Sequence, residues 1–218
     1  MLDREREQVA GAARRLAAAG LVAGTSGNVS ARRDDRVAVT PTGGMLAELE
    51  PDQVTVVDLE GNVVGGDLAP TSEIDLHLGV YRAYEAGAVV HSHAPMGTAL
   101  SCVLDELPCI HYEMLLLGGA VRVAPYATFG TPELADAVVA ALDGRTAALM
   151  SNHGAVTHGA DVEAAVRATE LLEWAATLYW NAHAIGTPRI LDEAQQQAVV
   201  DAAVARRYGR VQPAEQAP

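Results

Sequence analysis

Apolar residues near the start of the chain recur with a helical period. Val9, Ala12, Ala13 and Leu16 share one face of a stretch over residues 3–19, and Gly20 supplies a stop. The pattern then changes to alternation: residues 36–40, 54–58 and 62–64 are short β-branched runs separated by Gly- and Asp-bearing turns, which predicts antiparallel strands and hairpins. Helical spacing returns over 73–86, with Thr71 or Ser72 placed to cap it. A strand over 88–93 follows, then a helix over 95–103 that opens on proline. Further strands are predicted at 121–124, 146–151 and 155–158, and further helices at 131–142, 161–185 and 192–208. Helices and hairpins are too mixed for a regular doubly wound order. With no repeat and no linker, the pattern predicts one α/β domain over residues 1–209 and a flexible polar tail over 210–218.

Composition narrows the chemistry. The chain has 218 residues, enough for one well-buried domain, and a net charge of −13. That charge disfavours nucleic acid and anionic membranes as partners and, taken by itself, a phosphorylated substrate too. No apolar run reaches the about 18 residues of a membrane span, and the charged start MLDREREQ does not read as a secretory signal. Cys102 and Cys109 form no CxxC, so a reducing cytoplasmic location is expected. All fifteen basic residues are arginine. Without lysine, Schiff-base catalysis, pyridoxal-phosphate anchoring and P-loop nucleotide binding are excluded.

His91-Ser92-His93 is the strongest local signal. Two residues apart on a strand, both imidazoles point to one face and can share a cation, although two ligands alone make an incomplete site. His153, followed by Gly154 at a predicted turn, is the candidate third nitrogen, and three histidines suit zinc with a position left open. Glu73 opens a predicted helix. It reads either as a first-turn acid favoured by the helix dipole or as a carboxylate for a nearby metal. Three loops, 24–28, 40–44 and 70–73, combine glycine with small hydroxylic residues. Each alone is a turn or a cap; together they supply backbone N–H groups and hydroxyls suited to a phosphate.

The motifs GTSGNVS, TPTGG, PTSE, VVHSHA, IHY, APYATFGT and NHGAV occur in this order. The chain thereby resembles the class II, zinc-dependent aldolase/adducin family over nearly its whole length, and most of all the branch acting on L-fuculose 1-phosphate. The resemblance implies a three-layer αβα fold around a largely antiparallel sheet, assembled as a homotetramer with active sites at subunit interfaces. It implies one zinc ion per subunit on His91, His93 and His153, with Glu73 as a displaceable ligand and catalytic base. It implies a phosphate held around Ser26, Gly27, Asn28, Thr42, Gly43, Thr71 and Ser72, where Thr71 stands in place of an expected serine. Tyr112 would act as the acid in a neighbouring subunit's site, and Phe129 and Tyr208 would flank the aldehyde end.

The implied reaction is cleavage of a 1-phosphorylated ketose to dihydroxyacetone phosphate and a small aldehyde such as L-lactaldehyde. The alternatives within the family are a 5-deoxypentulose-1-phosphate aldolase, a methylthioribulose-1-phosphate dehydratase and an L-ribulose-5-phosphate 4-epimerase. Glutamate at position 73 speaks against the last, whose branch resembles an aspartate-bearing one. A non-catalytic, adducin-like scaffold is the reading from a different class, and it expects eroded metal ligands. Of the remaining histidines, His77 lies one helical turn after Glu73 and is a candidate outer partner, as is Asn152 beside His153. His111, His158 and His183 are expected to be structural, and Trp174 and Trp180 to serve core or interface packing.

Overall fold

A computed structural model describes residues 1–206 and 208; the expected tail at 210–218 lies outside the described residues. Helix α1 (Asp3–Ala18) leads into strands β1 (Asn28–Arg33), β2 (Arg36–Val39), β3 (Thr55–Asp58) and β4 (Val63–Gly65). Helix α2 (Ile74–Ala83), strand β5 (Ala88–Ser92) and helix α3 (Pro95–Ser101) follow. After them come β6 (Glu106–Leu107), β7 (Val121–Ala124), α4 (Pro132–Ala141), β8 (Ala147–Met150) and β9 (Gly154–Gly159). The long α5 (Val162–Ile185) and α6 (Glu193–Ala205) complete the order.

The strands form one sheet in the order β4-β3-β2-β1-β5-β9-β8-β7-β6. Among the described residues only the β7–β8 pair is parallel; the others, including β1–β5 and β5–β9 at the centre, are antiparallel. Helices cover both faces, which is the expected three-layer arrangement. Alternation along single strands shows how. Leu149 and Ala147 of β8 pack with Leu172, Ala175 and Ala176 of α5, whereas Ala148 and Met150 pack with Leu134 and Val138 of α4. Val90 of β5 likewise joins the α1 side through Val9 and Leu16, and Val89 joins α2 through Leu76 and Val80. A strand covered on both faces needs an unbroken apolar run, which is why β5 and β8 read so plainly in the sequence.

Several expectations are corrected. Strand β1 was not anticipated, because its inward positions Asn28 and Ser30 are polar and break the apolar alternation, yet both are buried. Helix α2 starts one residue after Glu73, which is its N-cap without a side-chain cap bond. Thr71 Oγ1 instead accepts from the Glu73 backbone N–H at 3.3 Å, while Ser72 makes no cap. Helix α6 ends at Ala205, short of the expected 208, and residues Tyr112–Leu117 form an unanticipated 3-10 turn. No helix among the described residues is long and apolar enough to cross a membrane.

Candidate active site

The central strands converge at one end of the sheet. Asn28 of β1 pairs with His91 of β5, and Ser92 pairs with Ala155 of β9. The turn between β8 and β9 carries Asn152 in a left-handed conformation, φ 54°, which reverses the chain beside His153. Gly154 then passes so close to β5 that a Cβ there would stand 2.4 Å from the Ser92 carbonyl. Three segments distant in sequence meet as a result, bringing together His91 and His93, His153, and Glu73.

His91 is fully buried, and its Nδ1 lies 3.0 Å from the Ala155 carbonyl. A carbonyl only accepts, so Nδ1 carries the proton and Nε2 faces the cluster. His93 Nε2 is 3.0 Å from His91 Nε2, Glu73 Oε2 is 3.2 Å from the same nitrogen, and Glu73 Oε1 is 3.5 Å from His153 Nε2. The ligand atoms of the three histidines all lie within 4.8 Å of one another. Glu73 is buried, and its Oε1 accepts no hydrogen bond. So many facing electron pairs require either extra protons or a shared cation, and the donor set therefore fits a metal ion.

The electrostatics follow from burial and proximity. Burial pushes the Glu73 carboxyl up, but the His91 contact, the Asn28 amide and His153 outweigh it and hold the group at about 2. Glu73 thus stands ionised among the histidines. Burial and the neighbouring histidines hold His93 down at about 4 and also lower His153, which keeps both as neutral imidazoles.

The three hydroxyl- and glycine-bearing loops are stitched into one rim. Val29 N–H donates to Thr40 Oγ1 at 3.2 Å, and the Thr71 and Thr42 amides donate to Thr40 and Ala69 carbonyls, both at 3.0 Å. Among the glycines of these loops Gly27 makes the tightest passage: its φ is +84°, and a Cβ would stand 2.8 Å from the His91 carbonyl. The cleft enclosed by these loops measures about 490 Å³. Ser26, Gly27, Asn28, Thr42, Gly43, Thr71 and Ser72 all line it, together with Glu73, His93, His153 and Phe129.

The Asn28 side chain is already engaged: Nδ2 donates to Glu73 Oε2 at 3.0 Å, and Oδ1 meets His77 Nε2 at 2.5 Å. Its carboxamide serves Glu73, which leaves one amide hydrogen for a ligand in the cleft. Tyr112 and Tyr208 do not line this cleft; their hydroxyls lie 3.3 Å apart on another surface, beside Leu116 and Val204. Asn152 accepts from Ser151 Oγ and lines the cleft without bonding His153. Tyr126, overlooked among the motif residues, stands at the rim; being exposed and aromatic, it carried no signal beyond its place in APYATFGT.

His111 accepts from Glu113 N–H and packs edge-on against the half-exposed Trp174. His158 stacks on Tyr84, and His183 on Tyr179. These three are packing groups, as expected. Trp174 and Trp180 are exposed rather than core.

The sequence model of the family described as Class II Aldolase and Adducin N-terminal domain matches residues 7–180. The 5-deoxy-D-ribulose 1-phosphate aldolase of Bacillus thuringiensis serovar kurstaki is 36% identical over 200 residues, covering 90% of this chain and 94% of that protein. The L-fuculose phosphate aldolase of Escherichia coli K12 is 38% identical over 183 residues, covering 83% of this chain and 85% of its own. A solved L-fuculose 1-phosphate aldolase structure superposes with a TM-score of 0.88 at 32% identity, over 91% of this chain and 95% of that one. Ligand cluster, sheet order and comparisons agree that the chain belongs to the class II aldolase and adducin family.

Proposed function

We propose that this chain is a zinc-dependent aldolase that cleaves a 1-phosphorylated ketose reversibly to dihydroxyacetone phosphate and a small aldehyde. One observation carries the reading: Glu73 stands between three histidines at one wall of a cleft, with an unsatisfied buried oxygen, while hydroxyl- and glycine-bearing loops form the rest of the rim. The absence of lysine supports it from the other side, since cleavage through a protein imine is unavailable. The net charge of −13 is no obstacle, because neutral hydroxyls and backbone N–H groups hold a phosphate locally whatever the total charge.

His91, His93 and His153 would hold the zinc, with Glu73 as the fourth, displaceable ligand. When bound, the ion supplies Lewis acidity that stabilises negative charge developing on the donor's carbonyl oxygen. Ser26, Gly27, Asn28, Thr42, Gly43, Thr71 and Ser72 anchor the phosphate and fix the donor carbon beside Glu73. In the synthetic direction Glu73 removes a proton from that carbon, and Tyr112 of a neighbouring copy donates one to the aldehyde oxygen; cleavage reverses both transfers. The hydrogen bond to Tyr208 pushes the Tyr112 hydroxyl up to about 12, so it remains protonated, as a donor requires. Phe129 and Tyr208 flank the aldehyde end. The chain acts as a homotetramer, supported by the exposure of Leu116 and Val204 around the tyrosine pair. A cytoplasmic setting suits its two free cysteines.

L-Fuculose 1-phosphate leaves L-lactaldehyde as the aldehyde half. A second substrate, 5-deoxyribulose 1-phosphate, leaves acetaldehyde, and it is favoured by the Bacillus relative that matches nine-tenths of this chain. The donor half is the same in both. A scaffold role fits poorly with a complete and mutually adjacent ligand set. The test is a panel of ketose 1-phosphates and ketose 5-phosphates with the zinc-loaded protein, reading dihydroxyacetone phosphate through a coupled reductase. Release from at least one 1-phosphate is expected. Epimerised or dehydrated product, or no turnover of any member, would overturn the reading.

A further inference from the structure

Behind Glu73 lies a buried ladder of five side chains contributed alternately by one helix and one strand. Glu73, His77 and Tyr81 are spaced by four from the N-cap of α2 onward, and Asn28 and Ser30 by two along β1, so each set presents one face to the other. Tyr81 Oη lies 2.7 Å from Ser30 Oγ, and Ser30 Oγ lies 2.7 Å from His77 Nδ1. His77 Nε2 reaches Asn28 Oδ1, and Asn28 Nδ2 donates to Glu73 Oε2 at 3.0 Å. Asn28, Ser30, His77 and Glu73 are all buried, His77 and Ser30 completely.

Hydrogen-bond chemistry gives the ladder a direction. The carboxylate of Glu73 accepts, so the amide nitrogen of Asn28 faces it and the amide oxygen faces His77. That oxygen also accepts, so His77 Nε2 carries the imidazole proton. Nδ1 is then an acceptor, Ser30 donates to it, and Tyr81 donates to Ser30. Every member has one orientation that satisfies all its neighbours. Burial keeps the His77 ring neutral, with its protonation held down at about 3, so the single ring proton stays on Nε2.

We propose that His77 is a positioning residue. Fixed in its Nε2–H tautomer by Ser30 and Tyr81, it prevents the Asn28 amide from flipping and so pins Glu73 Oε2, leaving Oε1 as the oxygen presented to the metal and substrate. A flipped amide would set its carbonyl oxygen against the carboxylate. The consequence for catalysis rests on the role of Glu73 proposed above; the tautomer and its effect on metal binding do not.

The test has two parts. Nitrogen-15 NMR of the folded wild-type protein, with and without zinc, reads the His77 tautomer directly; Nε2–H is expected, and Nδ1–H overturns the proposal. The second part is a double-mutant cycle between His77→Leu and Asn28→Ala, reading zinc affinity by chelator competition together with kcat and KM. His77→Leu is expected to weaken zinc binding or kcat by about tenfold to a hundredfold, with KM little changed. His77→Gln, which can still donate to Asn28, restores most of the loss. In the double variant the loss is expected to equal that of Asn28→Ala alone. Additive losses, or wild-type zinc affinity and kcat in His77→Leu, overturn the proposal. Tyr81→Phe, which removes only the far hydroxyl, tests the same chain with a milder change: His77 is expected to keep Nε2–H with a smaller fall in zinc affinity, and no change in either readout counts against the ladder. Wild-type protein that binds zinc but cleaves no ketose phosphate refutes the proposed activity and leaves the tautomer and zinc readouts to decide this inference.

Discussion

The hydroxyls of Tyr112 and Tyr208 stand 3.3 Å apart on a face that the chain's own cleft does not include. Tyr112 sits on the 3-10 turn Tyr112–Leu117 and Tyr208 lies just beyond α6, so tertiary folding joins them while leaving both exposed. Under the proposed mechanism, a proton donor placed there would serve the cleft of a neighbouring copy.

Tyr112→Phe should therefore lower kcat by about 10²- to 10⁴-fold while zinc content is retained. Mixing that variant with His91→Ala, after subunit exchange, should recover activity, because a mixed assembly contains clefts with intact histidines facing an intact Tyr112. Absence of recovery despite exchange verified by native mass spectrometry would show that Tyr112 acts within its own chain or not at all.

Metal removal makes a separate prediction. Dialysis against a strong chelator should abolish cleavage, and zinc should restore it. His91→Ala should bind no stoichiometric zinc, because His91 is the buried member whose Nδ1 is committed to the Ala155 carbonyl. Full activity in protein shown to be metal-free by elemental analysis would remove the metal from the mechanism.

Gly154 is where the histidine cluster depends on the backbone. A methyl group there would stand 2.4 Å from the Ser92 carbonyl and 3.3 Å from both His91 Cε1 and His93 Cδ2. Gly154→Ala should cost about 1–3 kcal/mol of stability by overpacking. It should also loosen zinc binding by about tenfold or more as the histidines shift. Calorimetry and chelator competition measure the two effects, and unchanged zinc affinity would mean that β9 yields without moving the ligands.

Stability should fall in acid partly through His77. Its folded value of about 3 lies below that of an exposed histidine, about 6.5, so below that pH the unfolded chain takes up a proton that the folded one refuses. The stability linked to this group is complete above about pH 6.5 and is lost by about 1.4 kcal/mol per pH unit below it. Urea unfolding of the metal-free protein from pH 7 to pH 5 should show a shallower loss for His77→Gln than for wild type. Equal slopes would mean that His77 titrates in the fold as it does in the open chain.

The candidate metal-binding residues stood out in the sequence because each was anomalous where it stood. His91 and His93 end an apolar strand, His153 precedes a glycine at a turn, and Glu73 follows a hydroxylic run. The Asn28–Ser30–His77–Tyr81 ladder was not legible. Its spacings of two and four are ordinary for a strand and a helix, and they acquire meaning only when β1 and α2 are packed together. The same polar residues hid β1 itself, since sequence periodicity treats an inward Asn or Ser as a break although its hydrogen bonds are satisfied inside. Net charge pointed away from an anionic ligand for a similar reason: it counts ionised side chains and is blind to backbone N–H groups and hydroxyls gathered at one rim.

The sequence by itself determined most of the elements, though not β1, and the kind of chemistry the side chains can support. Local periodicity sets helix and strand, and residue type sets what a side chain can ligate or donate; neither needs a distant partner. Only the tertiary structure decided adjacency: that three loops share one cleft, that Asn28 is committed to Glu73, and that Tyr112 faces away from its own site. Adjacency depends on strand order and on which face each residue presents, and both are set by burying apolar surface across the whole chain rather than by any local stretch.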